Sequence, residues 1–198
     1  GKELCTAAEL MEIADLCFSS LRNDPEAMPI PDDLGFPKGN LYDLSIAGWT
    51  KFWNETLKQE NPVTPDFVKA FISTESGFRD VKDQHSKAGD ARGLIQITEQ
   101  TRKILQNPKG ELKDYLISMT IEESRIPEVN IAAGVRWLYH KRKLLKIRLK
   151  RDVTWEEVGA EYKGIFPDLG KHQRSDEIMQ EIKERHKKLK DQRRPGPM

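Results

Sequence analysis

The sequence predicts a mainly α-helical protein with a short β-hairpin or ordered loop near its centre and additional helices at each end. Three observations carry this. Apolar residues recur at three- and four-residue steps along most of the 198 residues, the period of amphipathic helices. Helix-opening signatures precede several of these runs, notably Thr64-Pro65-Asp66 and Thr154 with Glu157. One polar stretch, 78–93, interrupts the pattern with Gly77, Gly89 and Gly93 in or beside it, which suits a hairpin better than a helix.

In chain order, Leu10, Ala14, Cys17, Phe18 and Leu21 predict a helix over 6–21. Residues 23–40 hold Pro25, Pro29, Pro31 and Pro37 with Gly35 and Gly39, and so form a loop, either a linker or a segment wrapped on the surface. Leu44, Trp49, Trp53 and Leu57 mark the buried side of a helix over 41–59; core packing is the expected role of both tryptophans. After Asn61-Pro62, Thr64 supplies a hydroxyl cap, Pro65 the first helical position and Asp66 a first-turn acid. Phe67, Val68, Phe71 and Ile72 are the buried stripe of that helix.

Beyond the polar stretch, Leu94-Ile95-Gln96-Ile97 leads to Thr98, which caps a helix over 99–106. A turn, a short helix near 111–119 and a loop around Pro127 are expected next. Asn130 opens the longest periodic segment, with Ile131, Val135, Leu138, Leu145 and Leu149 at helical steps. This predicts a central core helix to about Leu145, with Gly134 admitting a close neighbour. Its basic end, Lys141, Arg142, Lys143 and Lys146, suits the helix dipole. Thr154 and Glu157 form a capping box for a helix through Val158, Ala160 and Tyr162 that stops at Gly164. A charged helix over 174–194 and a frayed Pro195-Gly196-Pro197 tail close the chain.

Composition narrows the function. With 33 basic and 32 acidic residues the formal charge is +1, which argues against a nucleic-acid partner. The basic run Lys183-Glu184-Arg185-His186-Lys187-Lys188-Leu189-Lys190 is interleaved with acid and lacks aromatics, so a solvated helix face is expected. No run is long and apolar enough to span a membrane. Glu9, Glu12 and Asp15 break any signal-peptide core near the start; a first residue of Gly suggests a trimmed chain, so this says little about export. Two cysteines, Cys5 and Cys17, are too few for a disulfide framework or zinc cluster; on one helix they would lie ~18 Å apart, too far to bridge. The four histidines show no zinc spacing, His85 reads as an exposed loop residue, and neither a metal nor a cofactor is expected.

The chemistry points to Glu75. It ends the run Ala70-Phe71-Ile72-Ser73-Thr74-Glu75-Ser76-Gly77-Phe78, four residues after Phe71 and three after Ile72, on or beside the buried face. An acid taken out of water at the negative end of a helix should have its pKa raised. Such a carboxyl can carry a proton near neutral pH and donate it.

Four pieces then line up: Glu75-Ser76-Gly77-Phe78; Gly93-Leu94-Ile95-Gln96-Ile97-Thr98; Asn130-Ile131-Ala132-Ala133-Gly134 followed by Trp137-Leu138; and Ala160-Glu161-Tyr162-Lys163-Gly164. Their order and spacing resemble the catalytic domain of soluble lytic transglycosylases, of the lysozyme-like superfamily, over roughly 62–165. The resemblance implies a helical lysozyme-like fold that cleaves the β-1,4 bond between N-acetylmuramic acid and N-acetylglucosamine in peptidoglycan. It implies Glu75 as the single catalytic acid/base, Ser76 supporting that carboxyl or the adjacent sugar, Gln96 lining the groove, and Tyr162 contacting substrate or holding Glu75. The products would be 1,6-anhydro-muropeptides.

Two positions depart from the family's pattern. Lys163 stands where an asparagine usually follows the tyrosine, in a segment one residue shorter, and is expected to point to solvent. Asp90 is an extra acid in the loop 86–93. Hydrolytic glycosidases normally use a second carboxylate, so Asp90 and Asp83, with Asp80, are candidates for one. The near rival is therefore a hydrolytic muramidase resembling goose-type lysozyme; the rival of another class is a non-catalytic peptidoglycan-binding or secretion-associated module.

The implied organisation is an N-terminal helical extension (1–61), a lysozyme-like catalytic domain (62–170), and a charged C-terminal helix and tail (171–198). The expected site of action is periplasmic or extracellular. Peptidoglycan glycan strands are the expected partner, with a secretion machine or an immunity or inhibitor protein as further candidates.

Overall fold

The computed structural model describes residues 3–83 and 88–193; His85 and the Pro195-Gly196-Pro197 tail lie outside the described residues. Strand β1 (Leu4–Thr6) leads into helix α1 (Ala7–Cys17), capped by the Thr6 hydroxyl on the Glu9 amide. The first helix is shorter than predicted. It ends at Cys17, and a 3-10 turn over Ser19–Asn23 continues the path and buries Leu21.

The proline-rich segment is a wrapped loop rather than a linker, because two polar side chains of a later helix, Asp66 and Lys69, bind its backbone and side chains. Helix α2 (Asp43–Leu57) and helix α3 (Pro65–Ser76) follow. Lys69 of α3, fully buried, donates to the Ile30 carbonyl at 2.7 Å and the Asn40 amide oxygen at 2.6 Å, and pairs with Asp43 of α2 at 3.0 Å. Asp66 of α3 accepts from the Ile30 amide at 2.9 Å. A buried ammonium is tolerated only when its three donors are met, and Ile30, Asn40 and Asp43 meet them. Trp49 and Trp53 are core residues as expected; their indole N–H groups donate to the Glu128 carboxylate at 3.1 Å and the Ala132 carbonyl at 2.9 Å.

The polar stretch after α3 forms a sheet of two-residue strands, β2 (Lys82–Asp83), β3 (Ala91–Arg92) and β4 (Ile97–Thr98), antiparallel in the order β2-β3-β4. Helix α4 (Glu99–Gln106) starts on the Thr98 cap. The helix expected near 111–119 is absent. Tyr115 takes a left-handed φ of 55°, which ends any helical path, and Leu116 and Ile117 enter strand β5 (Leu116–Ser118). β5 pairs in parallel with β1, Leu4 opposite Leu116. That partner lies more than a hundred residues away and no local signal announces it.

Helix α5 (Pro127–Leu149) is longer at both ends than predicted: Pro127 occupies its first turn rather than a loop, and Lys150 closes it in the left-handed conformation. It is buried along most of its length, from Val129 to Tyr139 without a break. Helix α6 (Trp155–Tyr162) opens with the full Thr154–Glu157 capping box. Helix α7 (Gln173–Gln192) keeps the expected solvated face, with Lys183, Glu184, Lys187, Lys188 and Lys190 exposed, and buries the opposite one. Met179, Ile182, His186 and Leu189 are buried against α3 and α6. Even within the basic run, the His186 ring meets Phe67 edge-on with centroids 5.2 Å apart, and Arg185 lies over Phe36. Just beyond its end, Arg193 pairs with Asp66 of α3 and donates to the Pro25 and Met28 carbonyls of the proline-rich loop.

Candidate active site

The last turn of α3 sets the site. Gly77 takes φ +62° and its N–H caps the Ser73 carbonyl, the left-handed stop that glycine adopts without strain. A Cβ there would strike the Phe36 ring at 2.7 Å. Glu75 therefore stands in the final turn, its side chain 11% exposed, beside carbonyls that carry the negative end of the dipole.

The 93–97 segment is held against this turn by a clamp from α5. Asn130, fully buried, accepts from the Ile95 amide at 2.8 Å and donates to the Arg92 and Ser124 carbonyls at 2.9 and 2.8 Å. One turn later Gly134 leaves room for Ile95, whose Cγ2 would lie 2.3 Å from an added Cβ. Ser76 closes the joint from the other side. Its hydroxyl donates to the Leu94 carbonyl at 2.7 Å, so it ties α3 to this segment; neither the Glu75 carboxyl nor the cleft is what it faces.

Between α3, the small sheet, α5, α6 and α7 lies a cleft of about 890 Å³, lined among others by Glu75, Asp83, Gln96 and Tyr162. Gln96 holds a left-handed φ of 56°, a strained setting for a side-chain-bearing residue. Its amide stabilises the bend, donating to the Val81 and Gly93 carbonyls at 3.0 and 2.9 Å. Tyr162 donates its hydroxyl to the Ile95 carbonyl at 2.6 Å and meets the Phe71 ring edge-on at 4.8 Å. Burial, with the Glu75 charge beside it, pushes its phenol well above the ordinary range, so it stays a neutral donor.

Lys163 is the correction. In place of solvent, its ammonium lies 2.8 Å from Glu75 Oε1, 3.3 Å from the Thr74 carbonyl and 5.2 Å from the Phe71 ring centroid. α6 ends at this point and delivers the lysine stem along Phe71, which hides apolar methylenes while the head finds a carboxylate. The contact is a close charge pair without hydrogen-bond alignment, and Oε1 has no hydrogen-bond partner. Three influences then act on Glu75. Burial raises its pKa most, Lys163 opposes this, and Asp83 adds a smaller upward push; the net direction is up, as the sequence predicts.

The candidate second carboxylates separate. Asp83 lines the cleft with Glu75. Asp90 does not; it bridges Lys82 and Arg92, both at 3.2 Å. Asp80 pairs with Arg125 on the exposed surface. α7 also walls the cleft through Arg174, Ile178 and Glu181, one of several roles its sequence leaves open, because charge alternation along a helix does not reveal which stripe is covered.

A family model described as the transglycosylase SLT domain matches residues 52–184. The chain belongs to this family. No curated protein and no solved structure matches it significantly. Membership in the SLT family makes this a lytic-transglycosylase-type domain that acts on peptidoglycan, outside the cytoplasm, with a lysozyme-like fold. The helical architecture around a small sheet agrees. The SLT match begins inside α2 and ends inside α7, so both helices belong to the matched region. No helix among the described residues is long and apolar enough to cross a membrane.

Proposed function

We propose that this SLT domain cleaves the β-1,4 bond between N-acetylmuramic acid and N-acetylglucosamine by internal transfer, with Glu75 as its one acid/base. The observation that carries the reading is the setting of Glu75: a carboxyl almost wholly out of water, at the wall of a cleft of about 890 Å³, with its pKa raised. Protonated Glu75 gives its proton to the glycosidic oxygen as the bond from the anomeric carbon breaks. The substrate's own N-acetyl group supports the positive sugar. The Glu75 carboxylate then takes the proton of the 6-hydroxyl as that oxygen closes on the anomeric carbon, and no water enters the balance. Gln96 and Tyr162 fix the wall against which the sugar lies. The reaction takes place in the periplasm or outside the cell, and a secretion machine or an inhibitor protein is the partner we would seek beyond the glycan.

General acid/base action contributes ~10²–10⁴-fold. Glu75→Gln should lose that much muropeptide release and still bind isolated sacculi. A variant that binds and cleaves like the parent would leave only a binding module. Asp83 lining the cleft favours the hydrolytic muramidase as the second reading; the products of digestion decide between the two.

A further inference from the structure

The cleft contains a cation where proton transfer has to happen. Positive charge beside a general acid favours the ionised form, and positive charge also develops on the sugar as the bond breaks. A lysine in that place therefore needs a reason. Its surroundings supply one. Among the described residues that line the cleft, the other cations are engaged elsewhere: Arg174 with Glu177 at 3.5 Å, and Lys141 over the Trp137 ring at 5.2 Å. The acids facing it from α6 and α7 have arginine partners, Glu161 with Arg148 and Glu181 with Arg185, each at 2.7 Å, and Glu111, ahead of β5, meets His140 at 3.0 Å. Among the described residues, Asp83 from β2 and the neutral Tyr162 hydroxyl also lie beside Glu75. Among the described residues, Lys163 is thus the cation committed to Glu75.

We propose that Lys163 is a positioning residue that sets the protonation state of Glu75, orienting the carboxyl in the resting cleft and stabilising the carboxylate left when the proton departs. The inference rests on the acid/base reading of Glu75. Burial alone makes the carboxyl a weak acid that holds its proton. With Lys163 at 2.8 Å, the proton leaves more readily to the glycosidic oxygen, and the carboxylate remains basic enough, through burial and Asp83, to take the 6-hydroxyl proton. Thr74 and Phe71 keep the ammonium in place through a carbonyl and a ring face.

The test is a titration of Glu75 in the full chain, read from its side-chain carboxyl ¹³C resonance, alongside the pH profile of muropeptide release. Lys163→Met and Lys163→Gln remove the charge, and Lys163→Arg keeps it. An opposite charge at this range lowers a carboxyl by roughly 1–3 pKa units. The Glu75 midpoint should therefore rise by about one unit or more in the Met and Gln variants and return toward the parent's in the Arg variant. The alkaline limb of activity, where Glu75 loses its proton, should move up with it. Either neutral variant, folded by circular dichroism, with the midpoint unchanged or lowered would overturn the proposal. So would a midpoint that moves while the limb stays. If the parent itself releases no muropeptide, the enzymatic reading fails separately, and the resonance still decides whether Lys163 governs Glu75.

Discussion

At Glu75 two neighbours of opposite sign compete with burial, and their removal should move activity in opposite directions. Asp83 raises the Glu75 pKa, so Asp83→Asn should shift the alkaline limb to lower pH, by less than Lys163→Met shifts it upward, and leave the rate at the optimum within a few-fold. A hydrolase using Asp83 as its second carboxylate would instead lose ~10²-fold or more throughout, as a pH profile of both variants would reveal. Much at this scale was legible. A single acid after an apolar helical run, followed by glycine, marked Glu75 and the sign of its shift. Lys163 was not, because the base rate of lysine exposure says nothing about a helix end docking on Phe71. The Leu94 carbonyl as the acceptor of the Ser76 hydroxyl was not legible either, since a hydroxyl's acceptor is chosen by tertiary contact.

Among the elements, the approach of α5 to the 93–97 segment depends on an absent side chain. Gly134 lies in a helix interior, where alanine would gain about 1 kcal/mol by propensity. The added Cβ would sit 2.3 Å from Ile95 Cγ2, and overpacking costs roughly 1–3 kcal/mol, so the clash should win. Gly134→Ala is expected to lower stability in denaturant melts and to reduce muropeptide release, since Ile95 accepts the Tyr162 hydroxyl. A gain in stability with activity intact would show that the segment shifts freely. A second joint is electrostatic: His186 of α7 meets Glu156 of α6 at 2.6 Å and holds its carboxyl down to about 2, against an ordinary 4.5. A lowered carboxyl contributes stability in full above the ordinary value and loses it as pH falls toward 2, here ~3 kcal/mol. Glu156→Gln should cost about that at pH 7, lowering the melting temperature by roughly 6–12 °C, with the gap to the parent closing between pH 4.5 and 2. Equal gaps at both ends of that range would mean the pair contributes little. Helix starts were read well, because Thr64, Thr98 and Thr154 are caps that act within three residues. The parallel β1–β5 pair was not, because its two halves meet only in the folded chain.

For the molecule as a whole, the terminal segments close on one another around α3: the loop of residues 23–40 is pinned by Lys69 and Asp66, and Arg193 at the end of α7 reaches the same Asp66. The same two helices meet at the cleft, where α7 supplies one wall and α3 the acid. Charge alternation marked α7 as a helix without showing which stripe is covered, and its packing against α3 and α6 accords with a family match that runs to residue 184. What the closed molecule does with a glycan strand is answered most directly by its products. Sacculi digested by the full chain and analysed by mass spectrometry should release muropeptides ending in 1,6-anhydro-muramic acid, one water lighter than hydrolysis products, and should do so equally with Asp83→Asn. Reducing-end products in their place, lost with Asp83→Asn, would contradict the single acid/base account.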